Sequence, residues 1–445
     1  MAGEMLERLQ GLLSRAKKAG ADAGDAVHVE SRSLSVGQRL GAPEKLERSE
    51  SADVGLRVFI GKRQAIVSSS DISDDAFDEL AERAVAMASA VPEDPYCGLA
   101  DADQLATEIP TLDMCDAEEP EPETLIDWAN RAEDAARAVD GVPNSEGAEA
   151  GWGQARVSVI ASNGFAQSYA GSHYSLSASV LAGSGTEMER DYDYTGAVYG
   201  SDLESPEAIG TSAGERTVKR LNPKKVASGS VPVVYDPRVS RSLVNHFANA
   251  VNGAAIARDT SFLKECMGEQ IFAGSINIID DPHRHRGLRS KPFDGEGIAN
   301  ERRGVIKDGK LTTWFLDLRS ARQLGLETTG HASRGAGSPP SPSATNLYMD
   351  NGSISRDAMI GDIKSGLYVT ELIGFGINGL TGDYSRGAAG FWIEDGELAY
   401  PVSEVTIAGN LKDMFLGLTA ADDLNLRYGV DAPTLRIESM TLAGT

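Results

Sequence analysis

The sequence predicts an α+β protein in two domains, a sheet-and-helix N-terminal domain over residues 1–222 and a β-rich C-terminal domain over 223–445. Three observations carry this prediction. Helical and alternating apolar periods take turns through the first half. Strand and turn signals dominate the second half. Acidity is confined to the first: residues 1–222 hold 40 acidic against 19 basic side chains, and residues 223–445 hold 26 against 23. A chain of 445 residues also exceeds the roughly 100–200 expected of one core. Hydrophobic residues at 41% and charged residues at 24% are ordinary globular usage and exclude a disordered or fibrous chain.

Leu6, Leu9, Leu12, Leu13 and Ala16 recur at helical spacing and stop at Gly20, which reads as an opening helix. Segments 26–38, 44–52, 54–60 and 63–69 read as strands, with Gly61 and Lys62 as a tight turn. A helix over 73–90 starts at Ser73 and stops before Pro92. Residues 92–123 hold five prolines and the acidic run 116–123, a composition that predicts a linker between the portions 1–91 and 124–222. A helix over 123–139 ends at Gly141, and strands follow from 153 to 200 around the hairpin signal Asn163 and Gly164. A helix over 206–221 has Ser205 as N-cap and Pro206 in its first position.

Asn222 to Lys225 and the Gly/Ser run after them mark the domain boundary. Val231 to Tyr235 reads as a strand and Asp236 with Pro237 as a helix start. Residues 275 to the end read mostly as strands joined by turns at Asp308-Gly309, Asn351-Gly352 and Asp395-Gly396. Residues 332–345, rich in Gly, Pro and Ser, read as a flexible surface loop.

A net charge of −24 repels phosphate backbones and anionic bilayers, so neither nucleic acid nor membrane is an expected partner. The one dense basic run, Arg284, Arg286, Arg289 and Lys291, reads as a solvated loop. Glu4, Glu7 and Arg8 interrupt any secretory pattern at the start, and no stretch of about 18 apolar residues exists to span a bilayer. Cys97, Cys115 and Cys266 are odd in number and widely spaced, which fits a reducing cytoplasm rather than a disulfide framework.

Two familiar spellings fail on context. Residues 210–214 spell G-x-S-x-G, but Ser212 falls inside a helix, whereas a nucleophile elbow needs a strand running into a sharp turn. Residues 374–379 spell G-x-G-x-x-G, but no helix follows; a glycine-rich strand and loop where backbones pack closely fits better. Such a loop also admits an extended peptide at a sheet edge. His283 and His285 share a face only if they lie on a strand, and a surface turn with interleaved arginines is the simpler reading. His331 has no partner at any telling spacing. After Asp236, residues Val239, Leu243, Phe247 and Val251 repeat every four positions with Val244 beside them, so Phe247 and Val251 belong to a buried stripe. His246 lies off that stripe on a polar face with Ser242, Asn245 and Asn249.

At this helix the sequence resembles the TldD/PmbA family, the metallopeptidase-related proteins also known as modulators of DNA gyrase. The likeness runs through the second half: KPFDGEG at 291–297, ERR at 301–303 with KDG at 307–309, SAR at 320–322 with LG at 324–325, TGH at 329–331, GDYSRGAAGFW at 382–392, and YPVSE at 400–404 with IAGNLKD at 407–413. The resemblance implies the two-domain architecture of that family. Its catalytic members carry H-E-x-x-x-H on a helix and a distant cysteine: two imidazoles and a thiolate hold zinc, and the glutamate serves as base.

This chain keeps only the first histidine of that motif, His246. Phe247 stands where the glutamate belongs, Val251 where the second histidine belongs, and no cysteine follows Cys266. One imidazole does not make a catalytic zinc site, and Phe247 moves no proton. The expectation is therefore no catalytic residue and no metal in this chain. The emptied motif resembles the TldE/PmbA branch, which implies a zinc-bearing TldD-like partner and a peptide or unfolded segment as substrate. His246, Asn249, Tyr384, Ser385 and Arg386 are the candidates to line a peptide cleft. A homodimer is expected when the chain is isolated. The alternatives are an autonomous metallopeptidase that recruits His246 with His283, His285 or His331, and a regulator that binds clients without cutting them.

Overall fold

The computed structural model describes residues 2–444. In the first half the elements run α1 (Ala2–Ala19), β1 (Ala23–Arg39), β2 (Ala42–Ile60), β3 (Arg63–Ser69), α2 (Asp74–Ala90), α3 (Pro122–Arg137), β4 (Asn144–Ala161), β5 (Ala166–Ala182), β6 (Glu189–Ala197) and α4 (Pro206–Lys219). All six strands form one antiparallel sheet in the order β3-β2-β1-β4-β5-β6. The portions on either side of the proline-rich segment therefore share a single sheet.

The strands are long, 17 residues in β1 and 18 in β4, or roughly 55 Å at about 3.3 Å per residue. That length carries two helix pairs side by side on one face. Leu9, Leu12, Phe77 and Leu80 of α1 and α2 pack on Ala26, Leu56 and Val58. Leu125, Ala129, Ile209 and Ala213 of α3 and α4 pack further along, on Leu34, Val36, Trp152 and Leu176. Alternation turns Val27 and Val159 to the opposite face, where they meet Phe165 and, from the second half of the chain, Phe293. The spelled nucleophile elbow lies within α4. Its glycines let α3 and α4 close up: a Cβ on Gly210 would sit 2.0 Å from the carbonyl oxygen of Ala132.

Several expectations change. Strands 44–52 and 54–60 are one strand, because the chain reverses at Leu40 and Gly41, both at positive φ, without an Asn-Gly or Asp-Gly spelling. Glu44, Lys45, Glu47, Arg48 and Glu50 then line an exposed edge that resists further strand pairing. The expected linker is a packed strap. Its prolines prevent regular structure, yet its backbone is bonded to both halves, through Ala106 N–H to Gly297 O (2.9 Å), Arg286 N–H to Leu112 O (3.0 Å) and Ser172 N–H to Met114 O (2.9 Å).

The second half opens with β7 (Gly229–Tyr235), α5 (Pro237–Ala250) and α6 (Gly253–Ala257). There follow short pieces set in irregular chain: β8 (Ile278–Asp280), β9 (Arg303–Lys307), β10 (Lys310–Leu311), α7 (Leu318–Leu324), β11 (Ala332–Ser333), β12 (Ser341–Pro342) and β13 (Leu347–Met349). Regular structure returns with α8 (Arg356–Gly361), β14 (Ser365–Ile373), β15 (Asp383–Glu394), β16 (Glu397–Asn410), α9 (Leu411–Leu416), β17 (Leu418–Ala420), β18 (Val430–Asp431) and β19 (Leu435–Ala443). The sheet β16-β15-β14-β7-β19-β17 closes through pairing of β16 with β19 into a barrel, and β10-β9-β8-β13-β18 form a second sheet.

The region 258–346 is thus far less stranded than its turn signals predict. Asp308-Gly309 and Asp395-Gly396 do turn hairpins, whereas Asn351-Gly352 leads into α8. The expected loop 332–345 is also packed: β11 pairs with β12, and the carbonyl of Ala336 occupies the space a Cβ on Gly55 would need. Arg334, buried, pairs with Asp25, which Arg57 also holds at 2.9 Å; Glu296 lies 3.6 Å from Arg57. This buried polar network, with the Asp25 carboxylate between two guanidinium groups at its centre, joins the N-terminal sheet to the second half. No helix among the described residues is long and apolar enough to cross a membrane.

Candidate functional site

β7 runs directly into α5 at the barrel. Asp236 caps the helix by accepting from the Arg238 N–H at 2.9 Å, and its other oxygen accepts from the Tyr368 hydroxyl at 2.7 Å. Leu243, Val244, Phe247 and Val251 are buried in the core. The Phe247 ring meets Phe272 edge-on at 5.3 Å and Phe415 at 6.4 Å. Val251 is the C-cap, its N–H donating to Phe247 O at 3.0 Å. The two motif positions therefore point into packed hydrocarbon.

His246 is half-buried, with its ring 6.1 Å from that of Tyr384 and its buried Nε2 without a hydrogen-bond partner. Burial first, and the Arg386 cation second, hold its pKa down at about 4, so the imidazole is neutral near pH 7. Neutral imidazole is the ligating form, but His246 has no companions: among the described residues no three His, Cys, Asp or Glu side chains converge. Phe247 and Val251 offer no lone pairs. The residues of this helix do not fit a catalytic zinc ion.

The other histidines sit elsewhere. His283 contacts Asn300 at 2.7 Å within a turn, and His285 is exposed, 3.9 Å from Asp113. His331, partnerless by spacing, is in fact buried and paired: its Nε2 lies 3.2 Å from Asp280, and its Nδ1 lies 2.9 Å from the Thr329 hydroxyl. The Asp280 pairing spans 51 residues, beyond any local pattern. Ser212 donates to Asp193 at 2.6 Å and has no histidine beside it. The glycine-rich run 374–379 connects β14 to β15, and a Cβ on Gly376 would lie 1.8 Å from Ser385 O.

Of the cleft candidates, the structure brings His246, Tyr384 and Arg386 together. Tyr384 is buried, and burial pushes its phenol up to about 12. Ser385 alternates to the other face of β15 and borders a shallow depression of about 650 Å³ with Thr260 and the glycine-rich loop. Asn249 is exposed one turn beyond His246. Ser242 and Asn245 line a cavity of about 510 Å³ together with Arg386, Arg238, Arg241 and Arg289. Sequence reasoning found the polar face of α5 but not these arginines; the only local signal was the spacing of Arg238 and Arg241, three apart on one helix. The KPFDGEG string is architectural: Phe293 packs against Phe165 at 5.1 Å, and Asp294 accepts backbone N–H groups of Glu296, Ile298 and Ala332.

Three family models match the chain: PmbA/TldA metallopeptidase domain 1 over residues 24–88, the central domain over 115–221 and the C-terminal domain over 228–444. The metalloprotease PmbA of Escherichia coli is 38% identical over 95% of this chain and 93% of its own length. The chain belongs to the PmbA/TldD family. A PmbA homologue of Haemophilus influenzae is 36% identical over 99% of this chain and 96% of its own. Among solved structures, a protein of Bacteroides thetaiotaomicron described as a putative modulator of DNA gyrase superposes with a TM-score of 0.91 at 28% identity, covering 99% of this chain and 98% of that one. TldE of Thermococcus kodakarensis shares the fold, with a TM-score of 0.88 at 21% identity over 98% of this chain and all of its own. Within this family the chain keeps the architecture while α5 lacks the donor set.

Proposed function

We propose that this chain is a TldE/PmbA-type subunit that binds no catalytic metal and works beside a zinc-bearing TldD-like relative in digesting peptides and unfolded segments. The observation that carries the reading is the burial of Phe247 and Val251: the motif positions are not merely substituted but closed into the core. His246 and Arg386, with Tyr384 packed behind them, then line a face that holds substrate rather than cutting it. We place the pair in a reducing cytoplasm, in keeping with three free cysteines, and expect the isolated chain to self-associate through the surface meant for its relative.

The test is reconstitution. The purified chain is assayed for zinc content and for cleavage of an unfolded peptide substrate, alone and with a relative that carries intact H-E-x-x-x-H and a late cysteine. Substoichiometric zinc and activity only in the mixture are expected. One zinc per chain with chelator-sensitive cleavage by the chain alone sinks the reading.

A further inference from the structure

We propose that the cavity beside α5 is a carboxylate-binding subsite that takes the free α-carboxylate, or an acidic side chain, of a bound peptide. The inference rests on the reading that this face holds peptides. In a chain of net charge −24, this cavity is lined by five arginines and one carboxylate, Glu371.

The partners of those arginines show which charges are spare. Arg238 is held by Asp191 at 3.0 Å. Arg190 lies 3.5 Å from Glu146 and 3.9 Å from Glu371, and Glu371 is itself held by Arg220 at 2.6 Å. Arg241, Arg289 and Arg386 have no carboxylate within 4.0 Å among the described residues. Arg386 donates only to the carbonyl of Ile373, and Arg241 stacks on Tyr428 at 4.5 Å from the ring centroid. Three half-buried guanidinium groups from α5, the 281–291 turn region and β15 thus converge without compensation.

A second observation points the same way. Thr370, only 8% exposed, lines this cavity and has a buried hydroxyl with no hydrogen-bond partner; the Nε of Arg238, also on the wall, is unpartnered as well. Buried polar atoms are seldom left orphaned, and a water or a bound group on this wall completes them. Planar guanidinium forks match a two-oxygen carboxylate in bidentate fashion. A polyphosphate chain is the poorer occupant, since the protein's net charge of −24 repels its further charges. Ser242 and Asn245 on the wall lie next to His246 on α5, so a carboxylate anchored here leaves the rest of the peptide running past His246.

The experiment uses the full chain and three fluorescent peptides of one sequence: free acid, C-terminal amide, and an amide with glutamate as last residue. Fluorescence anisotropy is expected to show the free acid binding at least about tenfold tighter than the plain amide, a single charge-assisted bidentate contact. The glutamate amide reads the side-chain source: recovery of that affinity assigns the subsite to either carboxylate, and no recovery assigns it to the chain terminus. The double variant Arg241→Gln with Arg289→Gln should shrink the free-acid advantage to less than about twofold. Thr370→Val, which nearly conserves volume and removes an unpartnered buried hydroxyl, should weaken free-acid binding severalfold without lowering the melting temperature, and it stands in should the double variant not fold. The proposal is overturned by equal affinity for all three peptides, by an advantage that survives in both variants, or by a single-stranded oligonucleotide that outcompetes the free acid. None of these outcomes touches the reconstitution assay, which reads the metal-bearing partner and not the peptide terminus.

Discussion

Restoring the zinc motif should unfold this protein rather than activate it. The variant is Phe247→Glu with Val251→His, which rewrites α5 as H-E-x-x-x-H. Phe247 and Val251 are both 0% exposed. Removing the Phe247 ring from between Phe272 and Phe415 costs about 3–5 kcal/mol in lost transfer and residual cavity. A carboxylate left there without a partner adds several kcal/mol more, whether it stays charged or takes up a proton. The sum is comparable to a whole domain's stability of about 5–15 kcal/mol. Near-ultraviolet circular dichroism through a urea titration should show the C-terminal transition lost, while Phe247→Leu, which refills most of the volume with hydrocarbon, keeps it with a loss of about 1–3 kcal/mol. A double variant that keeps its midpoint and takes up one zinc per chain would refute the claim that these positions belong to the core.

Gly210→Ala should destabilise by about 1–3 kcal/mol, because its Cβ meets the rigid Ala132 carbonyl at 2.0 Å and overpacking outweighs the helix-propensity gain; an unchanged denaturation midpoint would contradict it. Burial, with the charge of Asp294 acting the same way against the pull of Arg57, raises the Glu296 carboxyl above its usual range. The folded chain therefore keeps a proton there that the unfolded chain loses near pH 4.3, so stability falls as pH rises above that value, by at most about 1.4 kcal/mol per unit. Glu296→Gln should flatten the slope of urea midpoints between about pH 5 and 8, and an identical slope in the variant counts against it. His246 should not titrate in NMR spectra above about pH 5, since burial and Arg386 hold it near 4. Because the unfolded chain then binds more protons below the ordinary value of 6.5, His246 takes stability away as pH falls through that range; a midpoint near 6.5 would show the ring is solvated.

Much of the helical content was legible because its signals are local. Ser73, Ser205 and Asp236 each cap the helix they announce, and their side chains accept the backbone N–H two or three residues on. Gly61 and Asn163-Gly164 turn the hairpins they spell. What was not legible depends on distant partners. Residues 92–121 and 332–345 have the composition of free loops, and nothing nearby in sequence says that Gly297 will accept from Ala106 or that Gly55 will make room for Ala336. Turn signals between 275 and 346 predicted strands, but that chain satisfies its backbone through irregular contacts around the buried Asp294.

The same division holds at the site. That α5 lacks the donor set of a catalytic zinc followed from residue type alone, since Phe247 and Val251 have no lone pairs in any fold, and the four-residue repeat already placed them on an apolar stripe. Where His246 would look, and what would surround it, was decided by tertiary structure. Arg190, Arg289 and Arg386 are scattered across nearly 200 positions of chain, and only the packing of the barrel against the N-terminal sheet carries them to the same wall as Arg238 and Arg241. Donor chemistry belongs to a side chain and can be read off its identity. An electrostatic pocket belongs to an arrangement, and no stretch of this sequence contains it.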